Sequence, residues 1–291
     1  MSFIRPITAS FPSMKACPLR LNGTTTRPFV PNLFHARSIT GLGSHQITQL
    51  QPGLVVIKRS ISPEVQTKLA LHLLERGEHP DTGFWKTNDK GEKVLNSAPY
   101  RGRIYDRLTH LPSLFTDVFQ RAVLEASTID KTLKPTLPTH VIILRYQSLA
   151  LPPSSGMIPW HRDNGENDGE GDHPVVSINL GDTSEFLINN DKPHVTRDYP
   201  VSYPQNLAHR IRFESGDAVV FGGPSRFIWH SISKIWPWTA PNFFPLKNVR
   251  FNLTGRYTPD LIGLESKFSR MEKNLPKNNR FFNLEDPKTV K

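Results

Sequence analysis

Cysteine is almost missing from this chain. Cys17 is the single one among 291 residues, so no disulfide can close within the chain and thiolate zinc sites are excluded. Long apolar runs are missing too, and none approaches the roughly 20 residues that span a bilayer as a helix. Membrane partners are therefore not expected. Acidic residues are absent from the first 63 positions, where Arg5, Lys15, Arg20, Arg27, Arg37, Lys58 and Arg59 stand unopposed. No internal repeat recurs along the sequence, which excludes solenoid architectures.

The formal charge is +10, and on its face that invites a polyanionic partner. Its distribution weakens the invitation. Residues 1–63 carry +7 and residues 265–291 carry +3, so residues 64–264 are neutral. Nucleic acid stays admissible as a substrate, but net charge does not point to it. The acid-free first fifty residues, rich in Ser, Thr, Arg and Pro, have the composition of an organellar transit peptide. Five prolines from Pro6 to Pro31 fit a disordered basic tail equally well, because they would break a targeting helix. A mitochondrial and a nuclear or cytoplasmic location both stay open. The Asn-x-Ser/Thr matches at Asn22 and Asn252 read as chance, since no secretory signal accompanies them.

The length suits one large or two small domains. Order is expected from about residue 51, with residues 1–50 as the tail and 261–291 as a basic extension. Leu54–Ile57 reads as a strand. Ser62, Pro63 and Glu64 then make a helix start, and Val65, Leu69 and Leu73 follow at helical spacing up to Gly77. A second helix is expected over about Pro112–Ala126, with Leu111, Leu114, Phe115, Val118, Phe119 and Ala122 on one stripe. The stretch between them, 77–110, is polar and long for a connection, and connections of that length usually carry function. Its aromatics, Trp85 and Tyr105 among them, suit a lid that stacks on an unpaired base. From Pro138 to about residue 258, short runs broken by Gly, Pro, Asn and Asp predict strands. Helices first and strands afterwards predict an α+β fold: a jelly roll with the helices packed on one sheet.

Two short texts carry the chemistry. PWHRD holds His161 and Asp163, and RFIWHSI holds His230. In an extended segment residues two apart face the same way, so His161 and Asp163 can share a metal while Arg162 points elsewhere. Two imidazoles and one carboxylate form the facial triad that holds Fe(II) and leaves positions open. An H-x-D tripeptide is weak evidence alone, and His161 capping a turn with His230 in the core explains it equally well. The strand Val249–Arg256 adds weight. Val249, Phe251 and Leu253 alternate with Arg250, Asn252 and Thr254, and Arg256 continues the polar side. Two guanidiniums on one face suit a dicarboxylate, because Arg grips carboxylates through a planar fork. The acidic run DNGENDGEGD, from Asp163 to Asp172, is not a calcium loop. Val175 stands where the closing Glu is needed, and these acids read as a solvated loop beside the site.

The texts HRDNGE, SINLGDTSEF, GDAVVFGGPSRFIWHSI and RFNLTGR, in this order and spacing, resemble the AlkB family of Fe(II)- and 2-oxoglutarate-dependent dioxygenases. The likeness extends from about Pro52 to Tyr257. It implies a double-stranded β-helix, with His161, Asp163 and His230 on iron, and 2-oxoglutarate and O2 as cosubstrates. It implies that Arg250 holds the distal carboxylate of 2-oxoglutarate, that Asn252 and Arg256 lie near the other carboxylate, and that Tyr146, in RYQ, hydrogen-bonds the cosubstrate. Trp85, Tyr105 and Glu166 are candidate substrate contacts. Two departures stand out. Leu144 occupies a position where the family often has Asn, which removes a carboxylate contact. Gly165 stands where the bacterial DNA-repair type has a second acid, which puts recognition of 1-methyladenine in doubt. The resemblance implies a monomer that demethylates N-methylated bases in DNA or RNA. The neutral body and the acidic loop leave room for a protein substrate, and a silent nucleic-acid-binding member is the third reading.

Overall fold

The computed structural model describes residues 46–98, 100–149, 158–164, 173–194, 201 and 203–258, all within one compact unit. Most of the expected basic tail, the whole of the expected C-terminal extension, Gly165 and Glu166 lie outside the described residues, while residues 46–50, expected in the tail, are part of a strand. The described chain opens with β1 (Gln46–Gln51) and β2 (Leu54–Lys58), so it is already a strand ahead of Pro52. It continues through α1 (Pro63–Gly77), β3 (Trp85–Thr87), β4 (Lys93–Leu95), β5 (Arg101–Arg107) and α2 (Ser113–Ile129). Then come β6 (His140–Gln147), β7 (Ile158–His161), β8 (Val175–Gly181), β9 (Thr183–Asn189), β10 (His209–Phe213), β11 (Ala218–Phe221), β12 (Trp229–Trp236) and β13 (Val249–Arg256).

The helix starts follow from local chemistry. Ser62 caps α1 by accepting from the Val65 amide at 3.4 Å, with Pro63 in the first turn. In α2 the buried residues are Phe115, Val118, Phe119, Ala122, Val123 and Ala126, a stripe at helical period. The polar connection 77–110 is not structureless. It folds into the β3–β4 hairpin and then β5, which joins the edge of the main sheet. Asn96 secures it, accepting from the Arg103 amide at 2.8 Å and donating to the Arg103 carbonyl at 2.8 Å and the Gly83 carbonyl at 2.7 Å. Propensity alone did not mark these strands, because three-residue strands and a Gly-containing edge carry little apolar pattern.

Two antiparallel sheets form a jelly roll. The larger runs β1-β2-β11-β8-β13-β6-β5 and the smaller runs β10-β9-β12-β7. Alternation along each strand sorts the side chains. Leu54 and Val56 of β2 and Val219 and Phe221 of β11 meet Phe186, Ile188, Phe213 and Ile232 of the smaller sheet. Val55, Ile57, Val220, Phe251 and Leu253 point the other way and share a buried cluster with Leu69 and Leu73 of α1 and Phe115 and Phe119 of α2. Each fully buried apolar side chain contributes about 1.5–3 kcal/mol. The larger sheet is thus buried on both faces, and the inner face is where polar side chains are exceptional. Among the described residues no helix is long and apolar enough to cross a membrane.

Candidate active site

The exceptional polar residues gather at one end of the space between the sheets. His161 closes β7, and its backbone partner across the smaller sheet is His230 on β12. Pairing in register brings their ring centroids to 4.2 Å. Asp163 follows just past the end of β7. Its Oδ1 lies 3.7 Å from His161 Nε2 and its Oδ2 lies 3.7 Å from His230 Nε2. One ligand atom from each residue lies within 4.8 Å of the other two.

The backbone fixes which nitrogens face this centre. His161 Nδ1 meets the Pro159 carbonyl at 2.9 Å, and His230 Nδ1 meets the Ile228 carbonyl at 3.1 Å. A carbonyl only accepts, so each Nδ1 carries the proton and each Nε2 presents a lone pair. This is the support that metal-binding imidazoles use. Burial, then the neighbouring His161, push His230 down to about 4, which keeps it in the neutral, ligating form. Burial would raise the Asp163 carboxyl, but Arg256, His230, His161 and Arg226 outweigh it and hold it below its ordinary value. The donor set is therefore two neutral imidazoles and one carboxylate, which suits a divalent iron. Phe186 stacks on His230 at 5.5 Å, and Phe221 packs at 5.2 Å.

On β13 the alternation settles which way the polar side points. Val249, Phe251 and Leu253 join the cluster shared with the helices, so Arg250, Asn252, Thr254 and Arg256 turn inward. Arg256 donates to Asp163 Oδ1. Arg250 is fully buried, and burial lowers it to about 10, so it remains a cation at neutral pH. It donates to Asn179 Oδ1 at 2.5 Å and to Asn252 Oδ1 at 2.6 Å. Its Nη1 and the Tyr146 hydroxyl have no hydrogen-bond partner among the described residues. An unanswered buried guanidinium is costly by several kcal/mol, and an anion there would answer it. This fits the distal carboxylate of a dicarboxylate cosubstrate.

A cavity of about 330 Å³ opens onto this centre. His161, Asp163, His230, Asn252, Thr254 and Arg256 line it, while Arg250 and Tyr146 lie outside its lining. Of the candidate substrate contacts, Tyr105 lines the cavity. Trp85 does not. It borders a separate cavity, with Lys93 and Arg145 each 5.1 Å from its ring. Leu144 sits in the wall at the family's Asn position. The reading of residues did not single out Arg101 and Arg103, which also line the cavity, or Arg226, whose Nη1 donates to the Asp163 carbonyl at 2.5 Å. The alternation in RGRIY was the available signal for the first two.

A jelly roll with two imidazoles and a carboxylate between its sheets, and a buried arginine on the facing sheet, defines the class of iron oxygenases that consume a 2-oxo acid. Comparison narrows this. Residues 53–256 match the profile of the 2OG-Fe(II) oxygenase superfamily, and the chain belongs to that superfamily, which uses Fe(II), 2-oxoglutarate and O2. Within it the chain is AlkB-like. It is 27% identical over 237 residues to the DNA N(6)-methyladenine demethylase ALKBH1D of Arabidopsis thaliana, covering 72% of this chain and 50% of that one. It is 28% identical over 173 residues to the alpha-ketoglutarate-dependent dioxygenase AlkB of Escherichia coli (strain K12), covering 59% of this chain and 66% of that one. The solved structure of OsALKBH1 aligns with a TM-score of 0.56 at 25% identity, over 72% of this chain and 99% of that one. The chain thus spans about half the length of the Arabidopsis relative.

Proposed function

We propose that this chain is a 2-oxoglutarate-dependent dioxygenase that removes a methyl group from a ring or amino nitrogen of a base in DNA or RNA. The observation that carries the reading is the convergence of the two Nε2 lone pairs, the Asp163 carboxylate and the buried, unanswered Arg250. His161, Asp163 and His230 would hold the iron. Arg250 and Tyr146 would receive the distal carboxylate, with Asn252 and Arg256 near the other. Fe(II) held there would supply the oxidising chemistry: O2 and 2-oxoglutarate would give succinate and CO2, one oxygen atom would enter the substrate N-methyl, and that carbon would leave as formaldehyde. The chain's own contribution is geometry and exclusion of water. Phe186 and Phe221 keep one side of His230 dry, and Tyr105 faces the cavity as the base contact. DNA demethylation is the activity named for the Arabidopsis relative. The protein acts as a monomer, with the segment 77–110 covering the substrate.

The test is succinate release by the full chain with Fe(II), ascorbate and 2-oxoglutarate, in the presence of methylated oligonucleotides or methylated peptides. The expected result is turnover with oligonucleotides and loss of at least 100-fold in His230→Ala, an order typical of removing a group that builds the reacting centre. Turnover with peptides alone would move the substrate to protein. Activity that survives His230→Ala would refute the ligand assignment.

A further inference from the structure

The larger sheet carries a row of three side chains that the roles above use only in part. Arg101 on β5 pairs with Tyr146 on β6, and Tyr146 pairs with Arg250 on β13. Partners in register share a face, so two guanidiniums flank one phenol from opposite strands. Tyr146 and Arg250 are fully buried, and Arg101 borders the cavity. Burial raises the Tyr146 phenol, while Arg250 and Arg101 oppose that rise, so both cations are felt at the hydroxyl. Arg101 Nε, like Arg250 Nη1 and the Tyr146 hydroxyl, has no hydrogen-bond partner among the described residues. Two cations and a phenol converge, and among the described residues no acid answers them.

We infer that Arg101 is a second cationic partner of the distal carboxylate of 2-oxoglutarate, and that it makes the site select a dicarboxylate. The inference rests on the cosubstrate reading above. It extends the resemblance, which gives that carboxylate to Arg250 and has Tyr146 hydrogen-bond the cosubstrate. A carboxylate offers about four lone-pair sites. One guanidinium fork fills two of them, so a second cation and a phenol can fill the rest. Position along β5 separates Arg101 from its neighbour. Arg103 is paired with Leu144 and turns toward Tyr105, donating to its hydroxyl at 3.0 Å. Arg101 alone shares the row of the two fully buried residues. It acts on the reaction as a positioning residue.

The experiment is anaerobic titration calorimetry on the full chain loaded with Mn(II), comparing wild type with Arg101→Leu and Arg101→Lys. The ligands are 2-oxoglutarate and 2-oxopentanoate, which has the same carbon chain without the distal carboxylate. Arg101→Leu is expected to weaken 2-oxoglutarate about ten- to hundredfold, the range for a charge-assisted hydrogen bond. It should leave 2-oxopentanoate unchanged, with Arg101→Lys in between. Unchanged 2-oxoglutarate binding overturns the proposal, and so does an equal loss for both ligands. Loss confined to a labelled methylated oligonucleotide assigns Arg101 to substrate and also overturns it. If Arg101→Leu does not fold, the ratio of the two affinities in Arg101→Lys decides, and a wild-type ratio overturns. Wild-type protein that binds Mn(II) but not 2-oxoglutarate sinks the cosubstrate reading itself, a result distinct from failure of Arg101.

Discussion

At the scale of single residues, the proposed metal ligands are held by their neighbours' backbone. His161 and His230 each use Nδ1 on a carbonyl two residues back, so the ring orientation is set before any metal arrives. Asp163 is held differently, through its own carbonyl and the Nη1 of Arg226. Arg226 is 1% exposed, which makes it a buried prop. We predict that Arg226→Met weakens Mn(II) binding about ten- to hundredfold, the usual effect of losing support behind a ligand. Metal titration followed by calorimetry reads this, and a variant with lowered thermal stability but unchanged metal affinity would reduce Arg226 to packing. The three candidate ligands were legible in the sequence, because a His-x-Asp spacing and a distant His are local facts about donor type, and the structure brings them together. Arg226 was not, because a carbonyl contact across sixty-three positions leaves no mark on spacing.

At the scale of elements, β13 shows how one strand serves two environments. Its inward residues face the space between the sheets, where we propose the cosubstrate binds, and its outward residues pack under the helices. Gly255 lies on the outward side, between Thr254 and Arg256. A Cβ there would come within 2.7 Å of Phe119 Cε1 and 2.8 Å of Pro138 Cγ. The glycine is what lets α2 lie close to the strand that carries Arg250 and Arg256. Gly255→Val should therefore destabilise by about 1–3 kcal/mol through overpacking. Chemical denaturation would measure it, and a wild-type midpoint would show that α2 can shift at no cost. The strand and both helices were legible because their apolar periods of two and 3.6 run over enough residues to register. The β3–β4 hairpin was not, since three-residue strands hold less than two periods. β5 was missed for another reason: Arg101, Arg103, Tyr105 and Arg107 alternate with Gly102, Ile104 and Asp106, a pattern with one aliphatic residue that reads as a strand only once β6 lies beside it.

At the scale of the whole molecule, the sheets enclose charge that they do not neutralise. Arg250 and the Tyr146 hydroxyl wait between the two sheets, beside the apolar cluster that joins them. Ligands that complete the site bind the folded state and stabilise it by mass action, about 2.7 kcal/mol at one hundred times Kd. We predict that 2-oxoglutarate raises the thermal midpoint well above that with Mn(II) alone, and that a chelator reverses most of the rise. Differential scanning fluorimetry checks this. A midpoint that 2-oxoglutarate leaves unmoved in the presence of Mn(II) would contradict the cosubstrate site.

Donor types, their order along the chain and the two-residue period of β13 are properties of the linear text, so the candidate iron ligands and the arginines proposed for the cosubstrate could be named from it. Convergence is another matter. Whether Arg101 faces Tyr146, whether Trp85 shares the cavity with Tyr105, and what stands beside Leu144 all depend on strand register, which pairs residues far apart in the chain. A shift of one residue turns a side chain to the opposite face. The folded sheet placed Arg101 beside Tyr146, put Trp85 in a separate cavity under Lys93 and Arg145, and set Leu144 between Arg103 and Asn252.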